Sequence, residues 1–221
     1  MRKVFIGVGH GGSDSGACAN GLRESDVNLE MALAMKAELE RYGVTVGISR
    51  TRDENDRLAE EIRECNAFSP ELAVEVHNNA GGGDGFECFV NGRDRTARQL
   101  AERIEAEVKG IGQNSRGVKV STGLGWVNKV KAPAVLCEGF FLDSEDRKVA
   151  DTAEKQRRYG QAYARGVLGQ LGITVKEQEQ PAVLADRKRA QERFGFDDST
   201  MLYLDGYRFA AALYQRLAGT K

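Results

Sequence analysis

Apolar and polar positions along this chain alternate between two periods, one near two residues and one near 3.6. Residues 3–8 (KVFIGV) form a short, β-branched apolar run suited to a buried strand. A loop rich in glycine and small polar residues, GHGGSDSGACANG, follows at its carboxyl end. Over residues 25–41, apolar side chains recur at Val27, Leu29, Met31, Leu33, Ala34, Met35 and Leu39. With Ser25-Asp26 as a cap and Gly43 past its end, that spacing predicts a helix. The pattern continues as a strand over 44–49, a helix over 55–68, strands over 72–76 and 85–90, and a helix over 94–108. After a turn-rich stretch, PAVLC at 133–137 has the continuous apolarity of a central strand, and residues 144–171 read as one long helix.

Strands alternating with helices predict an α/β fold, a mostly parallel twisted sheet flanked by helices. Residues 1–174 make up that catalytic-sized domain, and 175–181 (VKEQEQP) are polar and aperiodic, as in a linker. Residues 182–221 then predict a small α-helical C-terminal module of two short helices around GFDDST. Its apolar faces carry Leu184, Ala190, Phe194, Leu202, Tyr207, Phe209, Leu213, Tyr214 and Leu217. So short a segment does not easily sustain its own core, which points to docking, wall binding or self-association. Its aromatic residues, Tyr203 and Phe196 among them, read more readily as a packing seam than as a ligand surface.

Charge narrows the function. Acidic residues number 33 against 32 basic ones, so no global field gathers nucleic acid or anionic lipid, and a nucleic-acid partner is not expected. No stretch approaches the roughly 20 apolar residues of a membrane span. The opening MRKVFIGVGHGG also lacks the apolar run and cleavage site of a signal peptide, so the expectation is a chain made in the cytoplasm without membrane insertion. Cys18, Cys65, Cys88 and Cys137 show no CxxC spacing and are expected as free thiols.

The chain has two histidines, His10 and His77, and each stands at the end of a predicted strand beside small or polar residues. Open sheets bind ligands beyond the carboxyl ends of their strands, so the two side chains are expected at one edge. Catalytic zinc takes three protein ligands and leaves a fourth position open. Glu24, at the end of the glycine-rich loop, is the candidate third ligand; the alternative is that it only complements a helix N-terminus. Glu138 directly follows PAVLC, where an unpartnered carboxylate would be costly, and so is expected to face a cation or a reacting group.

Four stretches, GHGGSDSGACANGLRE, VEVHNNA, SRGVK and PAVLCEGFFLDSEDRK, resemble in order and separation the zinc-dependent N-acetylmuramoyl-L-alanine amidases of the Amidase_3 type. The likeness covers residues 3–171. It implies one zinc ion per chain on His10, Glu24 and His77, Glu138 as the catalytic acid/base, and bacterial peptidoglycan as partner. The bond implied is the amide between N-acetylmuramic acid and the L-alanine of the stem peptide. Asn79, Arg116 and Lys119 are candidate substrate contacts, the alternative being solvated surface residues. Three departures stand out: Gly7-Val8-Gly9 replaces the family's Asp-Pro before Gly-His, Asn78 stands where alanine is more frequent, and GFFLDSEDRK follows Glu138 where the family often has a GF-apolar-(S/T)-N run. An amidase with no export signal and a small C-terminal module also resembles a phage or prophage endolysin, which reaches the wall through a membrane lesion.

Other readings compete. Gly7-Val8-Gly9-His10-Gly11-Gly12 is a formal GxGxxG after a strand, the dinucleotide fingerprint, and Arg50 would suit a 2′-phosphate. Against a nicotinamide oxidoreductase, no helix pattern starts within the glycines. A non-catalytic, zinc-stabilised wall-binding module would have no use for Glu138. A zinc peptidase cutting another wall bond differs from the amidase only in substrate.

Overall fold

A computed structural model describes residues 2–175, 180–196, 200 and 210–219. The chain divides into two compact units, Met1–Val175 and Lys176–Lys221.

The first unit is built on a six-stranded sheet. Its strands are β1 (Lys3–Val8), β4 (Thr45–Ile48), β5 (Leu72–Asn79), β6 (Phe86–Val90), β7 (Ser115–Val120) and β8 (Ala134–Phe141), ordered β4-β1-β5-β8-β6-β7. The first four in that order are parallel, whereas β6 runs antiparallel to β8 and carries β7 parallel to itself. A mostly parallel sheet flanked by helices is thus the architecture. A two-residue pairing of β2 (Cys18–Ala19) with β3 (Leu22–Arg23) folds the glycine-rich loop back on itself.

On one face lie α1 (Glu24–Arg41), α3 (Arg95–Gly110) and α5 (Ala153–Gln170), with α5 packed against both others. The i, i+4 stripe Val27, Met31, Met35 and Leu39 of α1 is buried against Ile6, Val74 and Val76 of the sheet. Gly160 allows α5 to meet α1 backbone to backbone, since a Cβ there would strike the carbonyl of Met31. On the other face, α2 (Leu58–Phe68) and the short α4 (Gly125–Lys129) enclose a smaller core of Phe5, Ile62, Cys65, Trp126 and Leu136.

Several elements differ from the pattern-based expectation. Helix α1 begins at Glu24 without a side-chain cap, and Ser25, expected to cap it, is fully buried. The turn-rich stretch after α3 holds β7 and α4, because an edge strand reading SRGVKV is only partly covered and shows no apolar run. The long helix expected over 144–171 is two pieces: a 3₁₀ turn, Glu145–Val149, and then α5 capped by Thr152, whose side chain accepts from the Lys155 N–H. Strands β5 and β8 also extend past their apolar runs, so His77 and Glu138 lie within strands, not after them. All four cysteines are free, and the Cys88 and Cys137 sulfurs lie 3.5 Å apart on neighbouring strands.

In the second unit, α6 (Gln180–Phe194) begins inside the stretch expected to be a linker, and α7 (Ala210–Ala218) follows. Ala190 and Tyr214 are buried, with Phe196 and Leu217 packed beside them. Leu202, Tyr203, Tyr207, Phe209 and residues 176–179 of the expected linker lie outside the described residues.

Candidate metal centre

Three separate segments meet at the carboxyl ends of β1 and β5. His10 follows β1 in a left-handed conformation, φ 63°, a strained state for a non-glycine residue and one that clusters at functional sites. Glu24 opens α1, delivered by the β2–β3 turn, and His77 stands near the end of β5. One nitrogen from each histidine and one Glu24 oxygen all lie within 4.8 Å of one another. His10 Nε2 and His77 Nδ1 are each 3.2 Å from Glu24 Oε1, and the imidazole rings sit edge to face at 4.9 Å between centroids.

Each remaining imidazole nitrogen has its own carboxylate. Asp14 Oδ2 lies 2.9 Å from His10 Nδ1, and the buried Glu75 Oε1 lies 3.4 Å from His77 Nε2. Such outer partners fix ring orientation and leave the inner nitrogen free to bind a cation. The donor set, two imidazoles and a carboxylate, therefore suits one divalent metal ion held by His10, Glu24 and His77.

The backbone around these groups is held by buried amides. Glu24 Oε2 accepts from the Ala17 N–H and Oε1 from the Asn78 N–H, at 2.9 and 3.1 Å. Asn28 donates to the Gly9 carbonyl, and Asn78 donates in turn to Asn28 Oδ1. Asn78, the departure noted in the sequence, thus ties α1 to β5 behind the two histidines. Gly9 is required for another reason: a Cβ there would overlap the His77 ring. Arg50 is 2% exposed and donates to the carbonyls of Val8, Gly9 and Ser25. It braces the glycine loop from behind, so the 2′-phosphate role considered for it is ruled out, and the glycine run leads into the β2–β3 turn ahead of any helix.

Glu138 stands on β8 directly beside His77, its partner in the parallel register. Its Oε2 is buried and has no hydrogen-bond partner. Burial pushes this carboxyl up to about 7, against the opposing pull of His77. Burial would raise Glu24 too, but its hydrogen bonds with both histidines outweigh that and hold it well below the usual carboxylate range. His77 is carried well above the usual imidazole value, the bonds to Glu24 and Glu75 overcoming the effect of burial. Deeper still, burial and the charge of Glu75 raise Glu61, whose Oε1 accepts the Val8 N–H at 2.9 Å.

Asn79, Arg116 and Lys119 do come together, but on Glu87. Asn79 Nδ2 lies 3.0 Å from Glu87 Oε1, Arg116 Nε lies 2.7 Å from Oε2, and Lys119 Nζ binds the same oxygen. Glu87, Glu75 and Asp14 are site residues that sequence reasoning did not single out. For Glu75 a signal existed: in VEVH it stands two positions before His77, hence on the same face of an otherwise apolar strand.

Comparison with known proteins gives the family of the first unit. Residues 4–169 match the N-acetylmuramoyl-L-alanine amidase family. An endolysin of Bacillus phage SPP1 is 37% identical over 154 residues, covering 66% of this chain and 56% of the relative. The N-acetylmuramoyl-L-alanine amidase CwlM of Bacillus licheniformis is 35% identical over 174 residues, 75% of this chain and 66% of its own length. Among solved structures, the amidase AmiC2 of Nostoc punctiforme superposes with a TM-score of 0.72 at 27% identity, over 77% of this chain and 97% of that one. The chain thus spans between about half and two thirds of the curated relatives' length.

Proposed function

The chain belongs to the N-acetylmuramoyl-L-alanine amidase family, and from that premise we propose that it is a zinc-dependent peptidoglycan hydrolase. The bond it cuts is the amide between N-acetylmuramic acid and the L-alanine of the stem peptide. One observation carries the reading: His10, Glu24 and His77 converge from three segments while Glu138, with an unpartnered buried oxygen, stands in register beside them.

Bound zinc would supply Lewis acidity toward the scissile carbonyl and lower the pKa of an attacking water to about 7. Asp14 and Glu75 keep the two imidazoles turned so that His10 Nε2 and His77 Nδ1 face Glu24 Oε1. Glu138, raised to about 7, exchanges a proton near neutrality. It takes the proton of the attacking water on its carboxylate and returns it to the amine of the departing L-alanine. Dry surroundings make that carboxylate a stronger base than one in solvent.

Likeness to a phage endolysin supports a lytic use of the activity. Among the described residues no helix is long and apolar enough to cross a membrane. Residues 182–221 are assigned to wall binding or self-association, which sedimentation of the full chain with and without insoluble wall separates.

The deciding experiment is elemental analysis of the purified chain beside a wall-lysis assay with product mass spectrometry. About one zinc per chain, chelator-sensitive lysis restored by zinc, and released peptides beginning with L-alanine are expected. Lysis indifferent to chelation, or products cut at another bond, would reject the assignment.

A further inference from the structure

Strands β5, β8, β6 and β7 carry a continuous row of chemistry-bearing positions. His77 pairs with Glu138, Glu138 pairs with Glu87 across the antiparallel register, and Glu87 pairs with Gly117 between Arg116 and Val118. Neighbouring strands are about 5 Å apart, so Glu87 and its cations begin one strand beyond Glu138 and roughly 10 Å beyond His77. The Glu87 side chain is only 8% exposed, whereas Arg116 and Lys119 are 43% and 37% exposed. One buried carboxylate therefore anchors two outward-facing cations, leaving net positive charge at this end of the row.

The cations are held in place. Arg116 bonds Glu87 through Nε, and its guanidinium lies over the Phe141 ring at 5.3 Å. That geometry leaves the two Nη groups of a rigid fork for a second acceptor, the arrangement that recognises planar carboxylates. Lys119 adds a point charge beside it, 5.9 Å from the Phe89 ring.

Resting on the amidase reading, we infer that Arg116 and Lys119, anchored by Glu87, form a subsite for a free carboxylate on the stem-peptide residue that follows the released L-alanine. The spacing fits: an extended residue spans about 3.3 to 3.6 Å, so a carboxylate on the next residue lies about one strand spacing from the scissile bond. Discrimination follows from the chemistry. A free carboxylate accepts both charged donors, whereas the corresponding carboxamide is neutral and presents one oxygen and an NH₂ that meets the cations donor to donor. The subsite makes the enzyme selective for stem peptides whose second residue is not amidated.

Steady-state kinetics on two soluble muramoyl dipeptides, one with the second residue's α-carboxylate free and one with it amidated, test this. The zinc-loaded wild-type chain should favour the free acid by about tenfold in kcat/KM, mostly through KM. Arg116→Gln should bring the acid-to-amide ratio close to one, and Lys119→Met should move it the same way by a smaller factor, each with the native fold and bound zinc retained. A wild-type ratio near one, or variants that slow both substrates equally, would overturn the subsite while leaving the amidase reading intact. A wild-type chain that cuts the muramoyl–L-alanine amide of neither substrate, despite bound zinc, would overturn the amidase reading and the subsite together.

Discussion

Glu138 on β8 and Glu87 on β6 face each other across one antiparallel register, yet the fold treats them oppositely. Glu138 has a buried oxygen without a partner and is raised to about 7 by that burial. Glu87 is also mostly buried, which works to raise it, but Lys119 and Arg116 overcome this and hold it below the usual range. Two identical side chains thus become a carboxyl that titrates near neutrality, the proton carrier of the proposed mechanism, and a fixed anion. The difference lies in what the neighbouring strands bring: an imidazole on one side, a lysine and an arginine on the other. Pairs of titratable groups whose surroundings push them apart mark the division of roles in a site.

The largest expected effect separates the two directly. Glu138→Gln should keep fold and metal but lower kcat by about a thousandfold, within the range for loss of a general acid/base, measured as product release by the zinc-loaded chain. Equal losses of kcat in Glu138→Gln and Glu87→Gln would collapse the distinction. A third buried glutamate sharpens it: Glu75→Gln, behind His77, should weaken zinc binding about 10- to 100-fold in chelator competition, because the outer partner of a ligand imidazole is lost. Zinc affinity indistinguishable from wild type would remove Glu75 from the centre. Glu87→Gln should act more mildly, raising KM about tenfold as Arg116 and Lys119 lose their anchor, with kcat nearly retained.

The smallest effects are on stability. In the metal-free chain Glu138 keeps its proton up to about 7 while the unfolded carboxyl loses it near its ordinary value of 4.5. Between those values the folded state binds more protons, so this group's contribution falls as pH rises and its full penalty is present above 7. Metal-free Glu138→Gln should therefore be more stable than wild type by about 3 kcal/mol at pH 8 and little different at pH 4, read from denaturant melts. Glu87 has the reverse sign: its contribution is present above the ordinary carboxylate range and disappears as acid protonates it. In the loaded enzyme, the acidic limb of kcat/KM should lie at or below pH 7, since a neighbouring dication favours the charged form of Glu138.

Much of this was legible before any coordinates. The apolar runs of β1 and β8, the α1 stripe from Val27 to Leu39, and the histidines at two strand ends all follow from local pattern. Strand β7 was not legible, because Arg116, Gly117 and Lys119 on a half-covered edge erase the apolar signal. The place of Arg50 was not legible either: the sequence offered it only as a 2′-phosphate contact in a rival reading, whereas it is buried under the glycine loop. Glu75 and Glu87 were not legible as site residues, because nothing local shows that an acid within a strand is buried, as both are.

By itself, then, the sequence determined the alternation of strand and helix, the residue types able to bind a metal and the positions of His10, Glu24, His77 and Glu138 along the chain. Only the tertiary structure decided what surrounds each acid: two imidazoles at Glu24, an unpartnered buried oxygen at Glu138, and a lysine and an arginine at Glu87. Local pattern depends on neighbours a few residues away, whereas the charge state of a buried carboxylate depends on groups far along the chain, as Glu24 and His77, 53 residues apart, show. Those groups arrive only through strand pairing and helix packing.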